Sequence, residues 1–555
     1  MRDWDVTRIG VTVAACGLVF YAICRELPPT TPPLALHSAS VSFQIDLSDK
    51  DPISPYIYGL AHASPQVVKD LNLGLNRWGG NANTRYNWEI NAWNHARDWQ
   101  WSNYGEKAPE ARKPGASLDG FIRANWTACS YITMPTIGWV ARDVEDSSRS
   151  LNVPATGGIG VTSSESGIAG YDPAANRKRT SIPSFPRKGR PFADPPDTSD
   201  NAIYQDEWVN HIKGLIPTKL SVGTHWVLAM DNEPDIWDVT HTDVHPGRMG
   251  YDDLLNRFLQ YAEAAKDVAP SVQVAGPVSW GWTGYYHSPK DRDNFGARPD
   301  RRAHGDEPFI PWFLHSVRDH DQKARRRTLD ILDIHYYPQA GGVFSPSTDH
   351  TVCAARIRST RSLWDPTYKD ESWIGEPVML IPRMKEWIKK NYPDTRLGLM
   401  EWNWGGEDSM SGAIATAECL GIFGREGLDM AAYWTAPPVN SPAYLAFKIF
   451  RNVDGNNVGF GDYSARVTTT AASDVACFAS SDHGKPAIIL VNENPTAQTA
   501  VSLQIKGKAA NGSVHIWQFG GENTKSIRKL GDVQMAGGQV KLTIPPYSIT
   551  LLRTD

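Results

Sequence analysis

Residues 226–234 read WVLAMDNEP, five apolar residues followed by two acids, an amide and a proline. A short apolar run that stops at turn residues is typical of a buried strand. Asn232 and Glu233 are poorly suited to an apolar core, so we expect them just beyond the end of that strand. Pro234 restricts the backbone directly after Glu233. The stretch therefore predicts a buried strand that presents polar groups at its carboxyl end.

The same pattern recurs along residues 56–436. The seven other apolar runs are 57–60, 75–80, 131–140, 272–282, 331–337, 397–404 and 430–435. Amphipathic segments lie between the runs, and the segment 251–268 has an apolar stripe at helical spacing. The other helix candidates are 204–215, 309–319, 380–390 and 410–426. Eight strand-then-helix units predict a closed parallel (β/α)8 TIM barrel of the α/β class.

Polar and aromatic residues collect at the ends of these runs. They are Arg77, Trp139, Asn232, Glu233, Trp280, His335, Tyr336, Tyr337, Glu401, Trp402, Asn403 and Trp434. In a (β/α)8 barrel the carboxyl ends of the strands form the active face. This second pattern supports the barrel and places the functional residues at its mouth. Residues 141–200 interrupt the rhythm and predict a long excursion after the third strand.

The chain beyond Val458 predicts short strands separated by turns, which is typical of a β-sandwich. Residues 41–46 alternate apolar and polar side chains, so this early strand can join that sandwich. The predicted division is a leader or anchor at 1–26, a Pro-rich linker at 27–40, the N-terminal sandwich strand at 41–55, the barrel at 56–440 and the C-terminal sandwich at 441–555.

The N-terminus carries Arg2 and Arg8, followed by an apolar run from Ile9 to Cys24. A run of this length is short for a spanning helix and near the upper limit for a signal peptide. It predicts a secreted or membrane-anchored protein outside the cytoplasm, and cleavage and anchoring both stay open.

The composition favours a neutral, polar ligand. The formal net charge of -5 gives no basic surface for nucleic acid. The chain has 21 Trp and 20 Tyr, and clustered indoles suit the apolar faces of sugar rings. Outside the N-terminal run four cysteines remain, which allow three pairings or none: Cys129, Cys353, Cys419 and Cys477. We expect a monomer.

Glu233 and Glu401 are the candidate catalytic groups. They belong to the fourth and seventh predicted strands, which lie far enough apart round a barrel for their side chains to face each other across its mouth. Glycoside hydrolysis needs one protonated carboxyl as the acid and one ionised carboxylate as the nucleophile or base. Trp237 and Trp402 are candidate apolar walls that would raise the pKa of the acid, and Asn232 could hold a sugar 2-hydroxyl. This chemistry requires no cofactor.

Two other sets of residues could bind a metal ion. His241, Asp243 and His245 could form a metal set, although loop histidines that hydrogen-bond the barrel rim are commoner. Three acids of the excursion could contribute to a structural calcium site: Asp172, Asp194 and Asp197. We expect no metal in the catalytic site.

The sequence resembles glycoside hydrolase family 44, the retaining endoglucanases and xyloglucanases. The resemblance rests on NRWGGN at 76–81, TRYNW at 84–88, DNEP at 231–234 with Trp237, TH at 240–241, DTS at 197–199, DEWV at 206–209, DIHYYP at 333–338 and EWNWGG at 401–406. It runs from about residue 41 to the C-terminus. It implies a (β/α)8 barrel with a sandwich built from both chain ends.

The resemblance also implies roles for individual residues. Glu233 is the expected acid/base and Glu401 the expected nucleophile of a retaining reaction, while Arg77 and Tyr337 match orienting residues by strand position. The other substrate-binding candidates are Asn232, Trp78, Asn81, Trp88, Trp237, His335, Trp402, Trp404 and Trp434. Trp402 and Trp404 stand where the family commonly has Tyr.

The predicted activity is endo-hydrolysis of β-1,4-glucans such as xyloglucan or cellulose. Aromatic residues on both sides of the barrel mouth favour an open cleft and internal cuts. One alternative is a barrel glycosidase acting on mannan, xylan or arabinosides. Another is a non-catalytic glycan-binding surface protein, which would need aromatic platforms but no acid–base pair.

Overall fold

The computed structural model describes residues 40–99, 101–145, 180–216, 226–469, 474–482, 485–507 and 511–554. Its eight-stranded sheet forms a closed barrel in which the ring order follows the chain order. The barrel strands are Gly59–Ala61, Leu75–Trp78, Cys129–Met134, Trp226–Met230, Gln273–Ser279, Ile331–Tyr336, Arg396–Trp402 and Met430–Tyr433. The predicted barrel is confirmed, and each of the eight apolar runs overlaps one of these strands.

Helices follow most of the barrel strands. The α-helices are Pro65–Asp70, Ala116–Ala124, Gln205–Leu215, Trp237–Thr240, Tyr251–Val268, Trp282–Tyr286, Pro299–Ala303, Phe309–Ala324, His350–Arg358, Leu380–Asn391, Met410–Arg425 and Pro442–Arg451. Short 3-10 turns are Pro55–Ile57, Asn83–Arg85, Ala96–Trp99, Pro109–Arg112, Pro234–Ile236, Pro289–Asp291 and Ser359–Leu363. All five helix candidates of the sequence are present.

The helix Tyr251–Val268 illustrates why these segments fold as they do. The Asp253 carboxylate accepts the Gly250 backbone N–H at 2.8 Å and so caps the first turn. Leu254, Phe258 and Tyr261 lie on one buried face, as the helical spacing predicts.

Residues 141–200 are only partly described, because 146–179 lie outside the described ranges. The described part contains the strand Ser181–Phe185, which pairs antiparallel with Trp139–Ala141 and parallel with Ile203–Tyr204. A second small sheet joins Ala92–Asn94 to Asn103–Gly105. The excursion therefore carries sheet structure that its composition did not predict.

A ten-stranded sheet follows the barrel in sequence. Along the sheet the strands are Asn523–Lys529, Gly512–Gly520, Ser548–Thr554, Lys485–Asn492, Val475–Asp482, Tyr463–Thr469, Ser40–Pro52, Thr499–Lys506 and Gln539–Ile544, and Val533–Met535 pairs with Gly512–Gly520. Ser40–Pro52 lies antiparallel to Tyr463–Thr469 and parallel to Thr499–Lys506. The predicted entry of the N-terminal strand is confirmed.

The two ends of this sheet share one apolar core. Val540 lies on the last strand at one end, and Val514 and Met535 lie near the other end, yet all three pack in the same buried cluster. Phe43 and Ile45 of the N-terminal strand pack there too, on the face that their alternation predicts. The sheet therefore packs its two ends into one core, as the predicted sandwich requires.

The contacts of the described chain group into two compact units. One contains 77–336 and 386–400, and the other contains 40–76, 337–385 and 401–554. Cys129, Cys353, Cys419 and Cys477 are all free thiols, so the three pairings left open by the sequence are not formed. Within the described ranges, no helix combines the length and the apolarity needed to cross a membrane. The predicted leader lies outside those ranges, as does the predicted linker up to residue 39.

Candidate active site

The chain turns sharply after the fourth barrel strand. Asp231 and Glu233 both have left-handed backbone angles, with φ of 74° and 47°. The buried Asp231 carboxylate accepts backbone N–H groups from Thr136 and, at 3.0 Å, from Ile137. The Glu233 N–H donates to the Val278 carbonyl at 3.1 Å. Contacts from the third and fifth strands thus hold a conformation that costs free energy for residues other than glycine, a pattern common at functional sites.

Glu233 pairs with the sixth-strand histidine. His335 Nδ1 lies 2.9 Å from Glu233 Oε1, His335 is fully buried, and Glu233 is 9% exposed. Burial, with a smaller effect from the Arg77 charge, holds the pKa of His335 well below its ordinary value. The imidazole is therefore neutral at physiological pH. A neutral imidazole can donate to an ionised Glu233 or accept from a protonated one, so it supports both halves of an acid/base cycle.

Asn232 is held in one orientation by two neighbours. The buried Arg77 donates to its Oδ1 at 2.7 Å, and its Nδ2 donates to Asn81 Oδ1 at 3.2 Å. Trp237 Nε1 donates to the Asn232 carbonyl at 3.0 Å, so Trp237 fixes the loop from beneath. Trp237 is fully buried and offers no face to a sugar. Arg77, Asn81 and Trp237 therefore hold Asn232, and with it the adjacent Glu233, in place.

Asp235 is a site residue that the sequence reasoning missed. Its buried carboxylate accepts from Ser279 Oγ at 2.7 Å and from the Trp280 N–H at 3.2 Å. Burial raises its pKa to about 7, although these hydrogen bonds act in the opposite direction. Asp235 thus ties the Glu233 loop to the end of the fifth strand, where Trp280 is half-buried. Its position directly after Asn-Glu-Pro is the sequence feature that could have identified Asp235 as a site residue.

Glu401 lies on the seventh barrel strand and is 6% exposed. The Tyr337 hydroxyl donates to Glu401 Oε2 at 2.9 Å. Tyr337 directly follows the sixth strand and is half-buried. This hydrogen bond holds one oxygen of the Glu401 carboxylate and so sets the orientation of the group, as a nucleophile requires.

The end of the eighth strand is clamped by Asn403. Its Nδ2 donates to the Trp434 carbonyl at 2.7 Å and to Glu407 Oε1 at 2.9 Å, and its Oδ1 accepts from the Tyr433 hydroxyl at 3.0 Å. The Trp434 N–H donates to the Trp402 carbonyl at 3.0 Å. These contacts hold the half-buried Trp434 at the carboxyl end of its strand.

The predicted stacking role is wrong for Trp88, Trp402 and Trp404. Each is at most 1% exposed, so no ring face is open to a ligand. Trp402 packs against Phe423 and Phe447, with ring centroids 5.0 and 6.1 Å away. Side chains alternate along a strand, so Glu401 and Trp402 point to opposite sides, and Trp402 packs under the helices. For the same reason Trp402 does not form an apolar wall beside a catalytic carboxyl.

The remaining aromatic candidates differ in exposure. Trp78 is 7% exposed and packs edge-on against Tyr86, with centroids 4.7 Å apart. Trp373, which the sequence reasoning missed, is 48% exposed, and its Nε1 donates to Gln339 Oε1 at 3.2 Å. Gln339 in turn donates to the Tyr337 carbonyl at 2.7 Å, so Trp373 stands beside the loop that holds Tyr337.

The metal alternative at 240–246 conflicts with the local contacts. The Asp243 carboxylate is fully buried and takes two hydrogen bonds from Arg85, at 2.8 and 2.9 Å. Its charge is therefore already neutralised. In the excursion, Asp197 accepts from the N–H and the hydroxyl of Ser199, at 2.9 and 2.6 Å, and Asp172 lies outside the described residues.

Comparison with known proteins identifies the family of this chain. Residues 92–340 match the family model described as Glycoside hydrolase family 44. CelM2, a bifunctional glucanase-xylanase from a metagenome library, is 35% identical with a TM-score of 0.80, and the match covers 93% of this chain and 99% of that chain. The chain belongs to glycoside hydrolase family 44. The predicted family is thus confirmed, and the protein is a glycoside hydrolase.

Two further relatives of this family 44 hydrolase bear names that describe glucan hydrolysis. A Paenibacillus polymyxa xyloglucanase of family 44, solved with xyloglucan, is 29% identical with a TM-score of 0.80, over 93% of this chain and 100% of that chain. Endoglucanase A of Paenibacillus lautus is 29% identical over a match of 555 aligned positions. The match covers 95% of this chain and 75% of that protein.

Proposed function

We propose that this family 44 protein is an endo-acting β-1,4-glucan hydrolase with Glu233 as the acid/base and Glu401 as the nucleophile. The observation that carries the proposal is the hydrogen bond between Glu233 and the neutral, buried His335. This pair can release a proton to a leaving oxygen and recover it from water. Glu401, oriented by Tyr337, supplies the second carboxylate that the reaction requires.

The order of the strands supports the pairing of the two glutamates. Glu233 follows the fourth strand and Glu401 lies on the seventh, three positions apart in a closed ring of eight. Both belong to the carboxyl ends of the strands, where barrel enzymes carry their catalytic groups. In the first step Glu233 protonates the departing sugar oxygen while Glu401 forms a glycosyl ester. In the second step Glu233 takes a proton from water, which displaces Glu401 and restores the original anomeric configuration.

Glucan is the favoured substrate because the relatives carry glucanase and xyloglucanase names. Xylan is the second candidate, since CelM2 is described as both a glucanase and a xylanase. The test is reducing-end release from xyloglucan, carboxymethyl-cellulose, mannan and xylan by the wild type, Glu233→Gln and Glu401→Gln. Glu386→Gln, an exposed change on the helix Leu380–Asn391, is the matched control. Full activity in either catalytic variant would contradict the assignment.

We also propose that the enzyme acts outside the cytoplasm. A polymeric glucan does not cross a cell membrane, and the apolar run 9–24 has the composition of an export signal. Expression of the full chain, followed by fractionation and N-terminal sequencing, distinguishes a cleaved leader from an anchor. Recovery of the intact chain from the cytoplasm alone would contradict the proposal.

A further inference from the structure

His62 follows the first barrel strand, Gly59–Ala61, and its side chain is exposed. Its backbone is left-handed, with φ of 56°. This conformation costs free energy for every residue that has a Cβ, and glycine adopts it freely. An imidazole therefore occupies a position where glycine would be the more stable choice.

Hydrogen bonds on both sides force this backbone geometry. The carbonyl of Ala61 accepts the Ala436 N–H at 3.0 Å. On the other side, the Asn76 amide bonds both to the N–H of Ala63 at 3.0 Å and to its carbonyl at 2.9 Å. His62 is thus fixed between two anchored neighbours. Such retained strain points from the observed geometry to a function for the side chain.

The ring that His62 flanks belongs to Trp434. The two ring centroids are 5.6 Å apart, and the planes meet at 74°. Trp434 is half-buried and is itself held by Trp402 and Asn403 through its backbone. Because the eighth and first strands are neighbours in the barrel, the two residues stand side by side at its carboxyl end. Together they place a polar ring beside a flat apolar one, on backbone that is anchored at both positions.

We propose that His62 is a substrate-binding residue of the glucan site, which hydrogen-bonds a hydroxyl of the glucose unit that stacks on Trp434. A pyranose ring in a glucan has apolar faces and equatorial hydroxyls at its rim. The indole takes a face, and the imidazole beside it meets the rim, where its ring nitrogens can hydrogen-bond a hydroxyl. This inference rests on the proposed glucan hydrolase activity and assigns one recognition contact within it.

The test uses three variants of the full-length enzyme. His62→Gly removes the imidazole and relieves the backbone, whereas His62→Asn keeps a donor and an acceptor on a residue that tolerates the left-handed region. Asn72→Gly is the control, because Asn72 has φ of 45° and lies before the second strand, at the opposite end of the barrel. We measure kcat and KM on soluble β-1,4-gluco-oligosaccharides, and the midpoint of thermal unfolding for each variant.

We expect His62→Gly to lower kcat/KM about ten-fold, equivalent to about 1.4 kcal/mol, without lowering the unfolding midpoint. His62→Asn should keep most of the activity, and Asn72→Gly should match the wild type. Wild-type kcat/KM in His62→Gly would overturn the inference, as would equal losses of activity in His62→Gly and His62→Asn. An inactive wild type would instead refute the proposed function, so the two failures are distinguishable.

Discussion

The carboxylate of Asp235 makes the stability of the enzyme depend on pH. Its pKa is about 7 in the folded protein, because the group is buried, and about 3.9 in an unfolded chain. An acid with a raised folded pKa stabilises the fold at low pH, and this stability is lost as the pH rises through the folded pKa. The stability contributed by Asp235 is therefore lost between about pH 4 and about pH 7.

The size of the effect follows from these two values. A difference of about 3 pKa units corresponds to about 4 kcal/mol over the whole window. At pH 5 the unfolded carboxyl is already largely ionised, so roughly 2–3 kcal/mol of this remains to be lost between pH 5 and pH 8. Asp235→Asn cannot ionise and should lose none of it. Relative to the wild type, the variant should gain roughly 2–3 kcal/mol of unfolding free energy on going from pH 5 to pH 8.

The assay is urea unfolding of both proteins at pH 5 and pH 8, followed by tryptophan fluorescence. Other buried acids, such as Asp231 with a pKa of about 6, are present in both proteins and cancel in the comparison. Asp319→Asn, an exposed change on the helix Phe309–Ala324, controls for the substitution itself. If wild type and Asp235→Asn differ by the same free energy at both pH values, the argument from burial is refuted.

Two further predictions concern the nucleophile and the tryptophans. Tyr337→Phe removes the hydrogen bond to Glu401 and should lower kcat roughly 10- to 150-fold, since a hydrogen bond to a charged group is worth ~1.5–3 kcal/mol. Tyr463→Phe, an exposed change in the C-terminal sheet, is the control. An unchanged kcat in Tyr337→Phe would show that Tyr337 does not orient the nucleophile. Trp402→Ala should lower the unfolding free energy, measured by urea unfolding, by ~3–5 kcal/mol because the side chain is fully buried. Trp434→Ala, at a half-buried position, should mainly raise KM. A large loss of stability in Trp434→Ala together with a raised KM and unchanged stability in Trp402→Ala would contradict the placement of these two residues.

The barrel could be predicted from the sequence because its signal is repeated. Each of the eight strands overlaps an apolar run, and polar groups such as Glu233 and Glu401 lie near the carboxyl ends of the strands. The C-terminal sheet was predicted less completely. The strand Asn523–Lys529 reads NTKSIRK and lies at the sheet edge, where charged side chains face water and leave no apolar alternation to detect.

The candidate site was predicted only in part, because the sequence does not reveal the direction in which each side chain points. Glu233 could be found because its type matches the chemistry and it ends a predicted strand, and His335 because it lies near the end of one. Tyr337 was expected because the family resemblance implies an orienting tyrosine at its strand position. Trp402 was misplaced, since a position near a strand end does not say which side of the sheet the ring occupies. His62 gave no signal, because its position depends on a backbone angle held by distant partners such as Ala436.

The central claim is the division of roles between Glu233 and Glu401, and azide rescue tests it most directly. Glu233→Ala and Glu401→Ala are each given a cellobioside with a β-linked dinitrophenolate leaving group, which departs without an acid, and the products are identified by NMR. In Glu401→Ala, azide should attack the sugar itself and give the α-glycosyl azide. In Glu233→Ala, azide should displace Glu401 from the glycosyl ester and give the β-glycosyl azide. The opposite pair of products, or no azide product from either variant, would contradict the assignment.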